Sequence, residues 1–343
     1  MGIVRGICVE NTSRTLTDLG LSTGSTLFPA NSVIVSTRAP IGYVLINKCP
    51  MCTNQGCKTL VPDGRILPAY LCHNLRGRTA ELNALGSGTT FKELSTERLK
   101  NLTIPLPPLP VQREIVERLE RELAEADSLA ANFKRIAELA DAEFKAELEE
   151  TFRRVEGERV RLGDVCQLKN GYTPKAEELV EDGDVPYYRI SAMNLAGNET
   201  MLTVPTGWLS NCRRLFHSGS IVFPKNGGAV YTGKVRVLKF DSVVDLNTGV
   251  CSPYPELRSD FLYYWVVSFD MRSTIVEGAI PFVDFEKLGN ADFVLPTEDV
   301  QCAIVAQLDA AKARCEKLKT SAERGLRASE TLRAAILSEA FAP

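Results

Sequence analysis

The sequence predicts an α+β fold: two mixed α/β modules, each followed by a long helix, with the two helices paired as a coiled coil. Three observations predict it: an internal repeat, a sustained seven-residue apolar spacing after each copy, and short strand-like runs punctuated by Gly and Pro. Residues 99–119 align without a gap on residues 288–308, at a separation of 189 residues. Pro107, Val111, Gln112, Ile115, Val116 and Leu119 recur as Pro296, Val300, Gln301, Ile304, Val305 and Leu308. A period of this length means two copies of one supersecondary module. The match extends upstream with small shifts. Leu27-Phe28 and Ser32-Val33-Ile34-Val35 answer to Leu215-Phe216 and Ser220-Ile221-Val222-Phe223, Asn54-Gln55-Gly56 to Asn247-Thr248-Gly249, and Tyr70-Leu71 to Phe261-Leu262.

In the first module, residues 33–36 and 43–46 read as strands, and a helix is expected from Pro68 to about Leu85. The prolines of residues 105–110 then stop the module and open the first long helix, 111–154, where a first-turn proline loses no intrahelical bond. In the second module, residues 220–223, 234–240 and 293–295 read as strands. A helix over 259–273 carries Phe261, Leu262, Trp265, Val266 and Phe269 at helical spacing. Thr297 or Asp299 would cap the second long helix, 300–340.

The long helices carry the coiled-coil signal. In the first, Leu119, Ala126, Phe133 and Ala140 are seven apart, interleaved with Leu129 and Ile136. In the second, Leu308, Cys315, Ala322 and Ser329 keep that register, interleaved with Leu318 and Leu332, with Ile336 following. At 1.5 Å per residue these helices would run roughly 60–66 Å. Neither can bury its stripe alone in water, so pairing with each other is the economical solution. Two helices of ordinary bundles are the plainer alternative, against which the shared register argues.

Composition bounds the function classes. The 343 residues, 44% hydrophobic and 24% charged, suit two or three soluble domains. No apolar run is long enough for a membrane span and the first residues lack a signal-peptide core, so a cytoplasmic chain with ten reduced cysteines is expected. Two histidines, His73 and His217, leave little room for histidine acid–base chemistry. Residues 1–109 carry a net charge of +5, residues 110–156 a net of −5, and residues 157–296 a net of −3. The overall −3 does not by itself announce a phosphate footprint.

Several motifs have duller readings beside them. Residues 228–234 fit G-x-x-x-x-G-K, but Val235 stands where a phosphate loop needs Ser or Thr, and the segment lies between two strand-like runs; a hairpin loop fits better. Cys49, Cys52, Cys57 and Cys72 have the look of a zinc knuckle, yet the repeat keeps only Cys251 there, so buried strand thiols are the default. A stand-alone nucleotide- or zinc-dependent enzyme would rest on these two imperfect motifs alone. Asp141, Glu143 and Lys145 have nuclease-like spacing but fall on the long helix as exposed charge. No Asn/Asp-Pro-Pro-Tyr/Phe segment of an amino-methyltransferase occurs.

Small-polar loops carrying cations are better candidates for contact with nucleic acid. Ser87, Thr89, Thr90 and Lys92 lie on one, Lys225, Asn226 and Lys234 on another. Backbone amides and hydroxyls in such loops approach phosphate closely, while Lys, Arg and Asn supply donors to base edges. Thr37-Arg38 and Arg189 with Ser191 and Asn194 are similar. Ordinary solvated turns remain the alternative for any single loop.

Together these segments resemble one family, the DNA-specificity (S) subunit of type I restriction–modification systems. The matching residues are Arg161-Leu-Gly-Asp-Val165, Gly171-Tyr-Thr-Pro174, Thr37-Arg-Ala-Pro-Ile-Gly42, Gly88-Thr-Thr-Phe-Lys-Glu-Leu94, and Ile104-Pro-Leu-Pro-Pro-Leu109 leading to Gln112-Arg-Glu-Ile-Val116. With this resemblance Tyr172, Thr173 and Lys175 join the DNA-binding candidates. It implies two target-recognition domains, 1–109 and 157–297, each reading half of a split double-stranded DNA site. They would be separated by two antiparallel spacer helices, 110–156 and 298–343, acting as a ruler. A spacer of roughly 60 Å approaches two turns of B-DNA.

The resemblance further implies a non-catalytic reader that docks methyltransferase (M) and restriction (R) subunits. S-adenosylmethionine, ATP and magnesium would be used by those partners, and no cofactor by this chain. The first copy departs from the family pattern, lacking the Leu-Gly-Asp-Val opening of the second. A truncated or silent S chain, acting only as a protein-interaction scaffold, is therefore the alternative expectation.

Overall fold

A computed structural model describes residues 6–88, 92–210, 212 and 214–341. The chain forms two compact units, Met1–Ala137 with Thr320–Pro343, and Glu138–Lys319. Each long helix therefore contributes one stretch to each unit.

In the first unit, strands β1 (Cys8–Val9), β2 (Val33–Ser36), β3 (Val44–Asn47) and β4 (Cys57–Leu60) form a sheet in the order β1-β3-β2-β4. Only β1–β3 is parallel. Helix α1 (Asp18–Ser22) is short. Helices α2 (Pro68–Gly77) and α3 (Thr79–Leu85) replace the single helix expected over 68–85, because the chain leaves helical geometry at Arg78, with φ −104° and ψ 22°. Val33, Val35, Val44 and Ile46 bury one core with Leu71, Cys72 and Leu75 of α2 and Leu82 of α3. Leu99 of α4 (Thr96–Lys100) closes it, and Ser95 caps that helix by accepting from Arg98 N. Helix α5 (Leu109–Arg154) follows.

The second unit opens with β5 (Glu158–Arg161), α6 (Leu162–Val165) and β6 (Cys166–Asn170), followed by β7 (Leu179–Val180), β8 (Val185–Tyr188), β9 (Met201–Leu202) and β10 (Gly207–Leu209). Then come β11 (Ile221–Pro224), β12 (Arg236–Leu238), β13 (Val243–Val244), β14 (Thr248–Pro253) and α7 (Ser259–Ser268). The unit ends with β15 (Ile275–Val276), β16 (Phe282–Val283), α8 (Phe285–Gly289), β17 (Asp292–Leu295) and the start of α9 (Glu298–Glu339). Helix α7 stops at Ser268 rather than 273, and strand β12 is shorter than the 234–240 run.

Two larger sheets result, β6-β14-β11-β12-β9 and β13-β8-β10-β7, beside the two-stranded pairs β15-β16 and β17-β5. Both faces of the five-stranded sheet are covered, as alternation along a strand requires. Ile221 and Phe223 enter the core built on Phe261, Leu262, Phe293 and Leu308, while Val222 enters another with Tyr188, Leu238 and Val250.

Strands β9-β12-β11-β14 repeat β1-β3-β2-β4 in order and in direction. The ladders place Cys57 opposite Ser36 and Thr248 opposite Pro224. The Asn54-Gln-Gly match to Asn247-Thr-Gly is thus two positions out of register, a coincidence of turn residues. The second unit also has more than an extra opening strand. Strand β6 and the whole β13-β8-β10-β7 sheet have no counterpart among the described residues of the first unit.

The helices pair antiparallel within each unit. In the first, Asp127 bonds Arg333 and Phe133 lies against Gly325. In the second, Asp141 meets Lys319 at 2.8 Å and Glu147 meets Arg314 at 3.0 Å. Leu119, Ala126, Ala140, Leu308, Cys315 and Ala322 are buried, and Phe133 and Ile336 are half-buried.

The interleaved row was misassigned. Leu129 (46% exposed), Ile136 (39%), Leu318 (45%) and Leu332 (45%) face outward. On α5 the second inward row lies four residues after the first, with Leu123 buried and Ala130, Ala137 and Phe144 half-buried. Spacings of three and four both fit a helical stripe, and small alanines allow the close approach that Leu and Ile would block.

Candidate nucleic-acid interface

In the second unit, one tetrapeptide gathers the candidate loops. Val244 O accepts from Tyr172 N at 2.9 Å, and Leu246 N donates to the Thr173 hydroxyl at 3.4 Å. The buried Asp245 carboxylate accepts from Ile190 N at 2.9 Å and from the Thr248 hydroxyl at 2.8 Å. Leu246 O accepts from the Asn226 amide at 3.1 Å, and Asn247 O from Lys225 N at 2.7 Å. Segment 244–247 thereby holds the Tyr172-Thr173, Arg189-Ile190 and Lys225-Asn226 loops at one edge. Gly171 permits this packing, since a Cβ there would stand 2.5 Å from Val244 O and collide with Asp245 O.

The side chains divide by role. Arg189, Ser191, Thr173 and Lys175 are exposed, although Lys175 lies 3.6 Å from Glu177. The Lys225 ammonium sits over the rings of Phe282 (5.5 Å) and Phe285 (5.1 Å), which fix its position. Lys234 bonds the Asn194 side chain, forming a second small group beside Arg236. Tyr172 turns its phenol to Cys212 Sγ at 2.5 Å under the Arg214 guanidinium. Burial first, then Cys212, push its pKa up, so it stays a neutral phenol.

The first unit presents a smaller version. Thr37 is not available: it is fully buried, with N and Oγ1 both bonding Gly56 O at 2.8 and 3.2 Å. Arg38 pairs with Glu93 at 3.2 Å, and Ser87 exchanges backbone bonds with Glu93. Lys92 is exposed on the same loop, while Thr89 and Thr90 lie outside the described residues.

Sequence reasoning missed Asp245, Leu246 and Asn247, and it missed the loop at Ile280 and Phe282, exposed by 69% and 37%. That loop was findable: continuing the ungapped 189-residue offset upstream sets residues 277–283 against 88–94. The structure bears out the equivalence, because Leu94 N donates to Thr37 O at 2.8 Å and Val283 N to Lys225 O at 2.9 Å.

The other motifs resolve into structure. Residues 228–232 form a 3-10 turn within the β11–β12 hairpin, not a strand-to-helix phosphate loop. Cys72 is buried in the core, Cys52 and Cys57 are half-buried and Cys49 is exposed. Among the described residues no three His, Cys, Asp or Glu side chains are grouped to hold a metal ion, and no helix is long and apolar enough to cross a membrane.

Two copies of one sheet, each presenting loops at the end of its central strand and each joined to a long antiparallel helix, define a two-module recognition protein. Residues 11–137 and 155–324 both match the family model of the type I restriction modification DNA specificity domain, and the chain belongs to that family. It is similar to the type I restriction enzyme MjaIX specificity subunit of Methanocaldococcus jannaschii, 24% identical over 305 residues, covering 80% of this chain and 69% of that one. The EcoBI specificity subunit of Escherichia coli is 23% identical over 338 residues, covering 85% and 69%.

Among solved structures, a chain from a study of complex assembly and conformational transition in the type I R-M system superposes with a TM-score of 0.79 at 21% identity, covering 93% of this chain and 84% of that one. The HsdS subunit of Thermoanaerobacter tengcongensis gives 0.60 at 20% identity, covering 92% and 81%. At these identities the superpositions show the shared fold.

Proposed function

We propose that this chain is the non-catalytic DNA sequence-recognition subunit of a type I restriction–modification complex, reading a bipartite double-stranded site. Residues 1–109 and 157–297 are the recognition domains, and 110–156 and 298–343 the spacer helices. M and R subunits are its partners, and the S-adenosylmethionine, ATP and magnesium of the complex belong to them. The observation that carries this reading is the equivalence of the two loop clusters. Each follows the central strand of the same sheet, β2 or β11, and each is held by the same pair of backbone bonds. In the second unit Arg189, Lys225 and Lys234 provide cations and Ser191, Thr173 and Asn226 provide donors for base edges and phosphate. The outward-facing Leu129, Ile136 and Leu318 are suited to apolar contact with an M subunit.

One observation favours the scaffold reading for the first module: Thr37 is buried and Arg38 is engaged by Glu93, which leaves that loop few free donors. Selection of bound duplexes from a random pool, with M subunits present and salt varied, tests both readings. Enrichment of a bipartite sequence is expected. No enrichment at any salt concentration would overturn recognition, and capture of M subunits alone would identify a scaffold.

A further inference from the structure

An apolar tip stands among the cations of the second unit's loop edge. Ile280 is 69% exposed and Phe282 37%, around the β15–β16 turn, and Leu246 of the organising tetrapeptide is 51% exposed. One residue joins the three. The Asn226 side chain donates to Leu246 O at 3.1 Å, and the Asn226 backbone forms an isolated β-bridge with Phe282. Single exposed aliphatic side chains are common on any surface. A group of them beside a lysine held in place marks a contact surface.

The tip is anchored at both ends. After it, Gly227 N donates to Pro281 O at 2.8 Å and Val283 N to Lys225 O at 2.9 Å. Before it, the Tyr231 hydroxyl donates to the Glu277 carboxylate. Residues 278–280 are therefore tied on either side to the β11–β12 hairpin, and Glu277, the one acid of residues 277–283, is engaged away from any phosphate. Ile280 is itself stiff, because β-branching limits its χ1 and the following proline limits its backbone. A stiff aliphatic group loses little conformational entropy when it meets a surface.

We propose that Ile280 reads the 5-methyl group of a thymine in the major groove, a specificity contact that rests on the recognition reading given above. The edge offers three kinds of group: the Lys225 ammonium, the Asn226 amide and the aliphatic Ile280. One N–H of Asn226 goes to Leu246 O, and a carboxamide has a second N–H and an oxygen to offer. That pair matches adenine, whose N7 accepts and whose N6 donates. The thymine opposite carries the one apolar group that a base pair shows in the major groove, and a G·C pair has none. In the minor groove A·T and T·A show only acceptors, so an aliphatic tip would read nothing there. Phe282 and Leu246, joined through Asn226, extend the apolar area that the methyl group meets.

The test starts from duplexes selected out of a random pool by the full chain with M subunits present. Each thymine of the enriched site is then replaced in turn by deoxyuridine, which removes the methyl group and keeps the pairing. At one position the native chain is expected to bind the deoxyuridine duplex about fourfold more weakly, the value of one buried methyl group. Ile280→Ala should bind the two duplexes equally at that position and keep the native dependence at every other. Because Ile280 is largely exposed, folding of the variant is not at issue. The proposal is overturned if no replacement weakens binding, or if Ile280→Ala shows the same loss as the native chain. A selection that enriches no sequence fails the recognition reading and this inference with it. An enriched site without a methyl dependence fails this inference alone.

Discussion

Gln112 and Gln301, one repeat apart, make the same three hydrogen bonds. Each side-chain oxygen accepts from the backbone amide of the residue preceding a helix, Leu67 before α2 and Arg258 before α7, at 2.8 Å in both cases. Each side-chain nitrogen donates to two carbonyls, Arg65 and Pro107 in one copy, Glu256 and Pro296 in the other. Neither Leu67 nor Arg258 has a side chain that caps its own helix. A buried glutamine on the long helix supplies the cap from outside and ties that helix to its module.

Gln112→Leu and Gln301→Leu each strand one buried N–H and leave two carbonyls without that donor, so each should cost about 3 kcal/mol. The two losses should agree within about 1 kcal/mol in urea denaturation, since the geometry is the same. A loss below about 0.5 kcal/mol at either site would mean that other groups satisfy the cap.

A Cβ at Gly325 would run into the Phe133 ring. Alanine is worth about 1 kcal/mol over glycine in a helix interior, yet overpacking costs about 1–3 kcal/mol. Gly325→Ala should therefore lower stability, and Phe133→Leu should relieve part of that loss, giving a non-additive double-mutant cycle. Leu129→Ala and Ile136→Ala, on the outward row, should each change stability by less than about 0.5 kcal/mol.

His73 is buried with neither ring nitrogen hydrogen-bonded among the described residues. Burial, then the Arg76 and Arg333 guanidinium groups, lower its pKa to about 4. The Glu120 carboxylate, 3.7 Å away and half exposed, does not offset them. Because the folded-state pKa lies below the unfolded value of about 6.5, the unfolded chain takes up the proton first. This group's contribution is complete above about pH 6.5 and falls as pH drops towards 4, by about 3 kcal/mol. Urea midpoints measured across that window should show the decline, and His73→Gln should flatten it.

Arg189→Ala should weaken DNA binding and reduce the slope of log K against log salt by about 0.9 if the guanidinium meets one phosphate. Lys234→Ala should do the same, while Arg38→Ala, already paired with Glu93, should change the slope less. Fluorescence anisotropy over a range of salt concentrations measures all three, and equal slopes throughout would remove these side chains from the interface.

The repeat, the long helices and the apolar runs of β2, β3, β11 and β17 were legible because they depend on local pattern. The apolar runs of β2 and β11, the prolines of residues 105–110 and the seven-residue spacing of Leu119 and Leu308 act over distances that a sequence displays directly. The gathering of the site was not legible. Asp245 has no distinguishing neighbours in sequence, yet its carboxylate fixes the Ile190 amide, 55 residues away. Thr37 and Lys225 occupy equivalent positions, and only packing shows that one is sealed under Gly56 while the other stands over two phenylalanine rings.

The sequence by itself determined that this protein is a duplicated α+β unit with a helix after each copy, because hydrophobic periodicity and turn chemistry are encoded residue by residue. The tertiary structure decided which helix row is buried and which loops share one edge. Those outcomes depend on how side chains fit between elements, as the Phe133 ring does against Gly325, and on hydrogen-bond partners drawn from far along the chain.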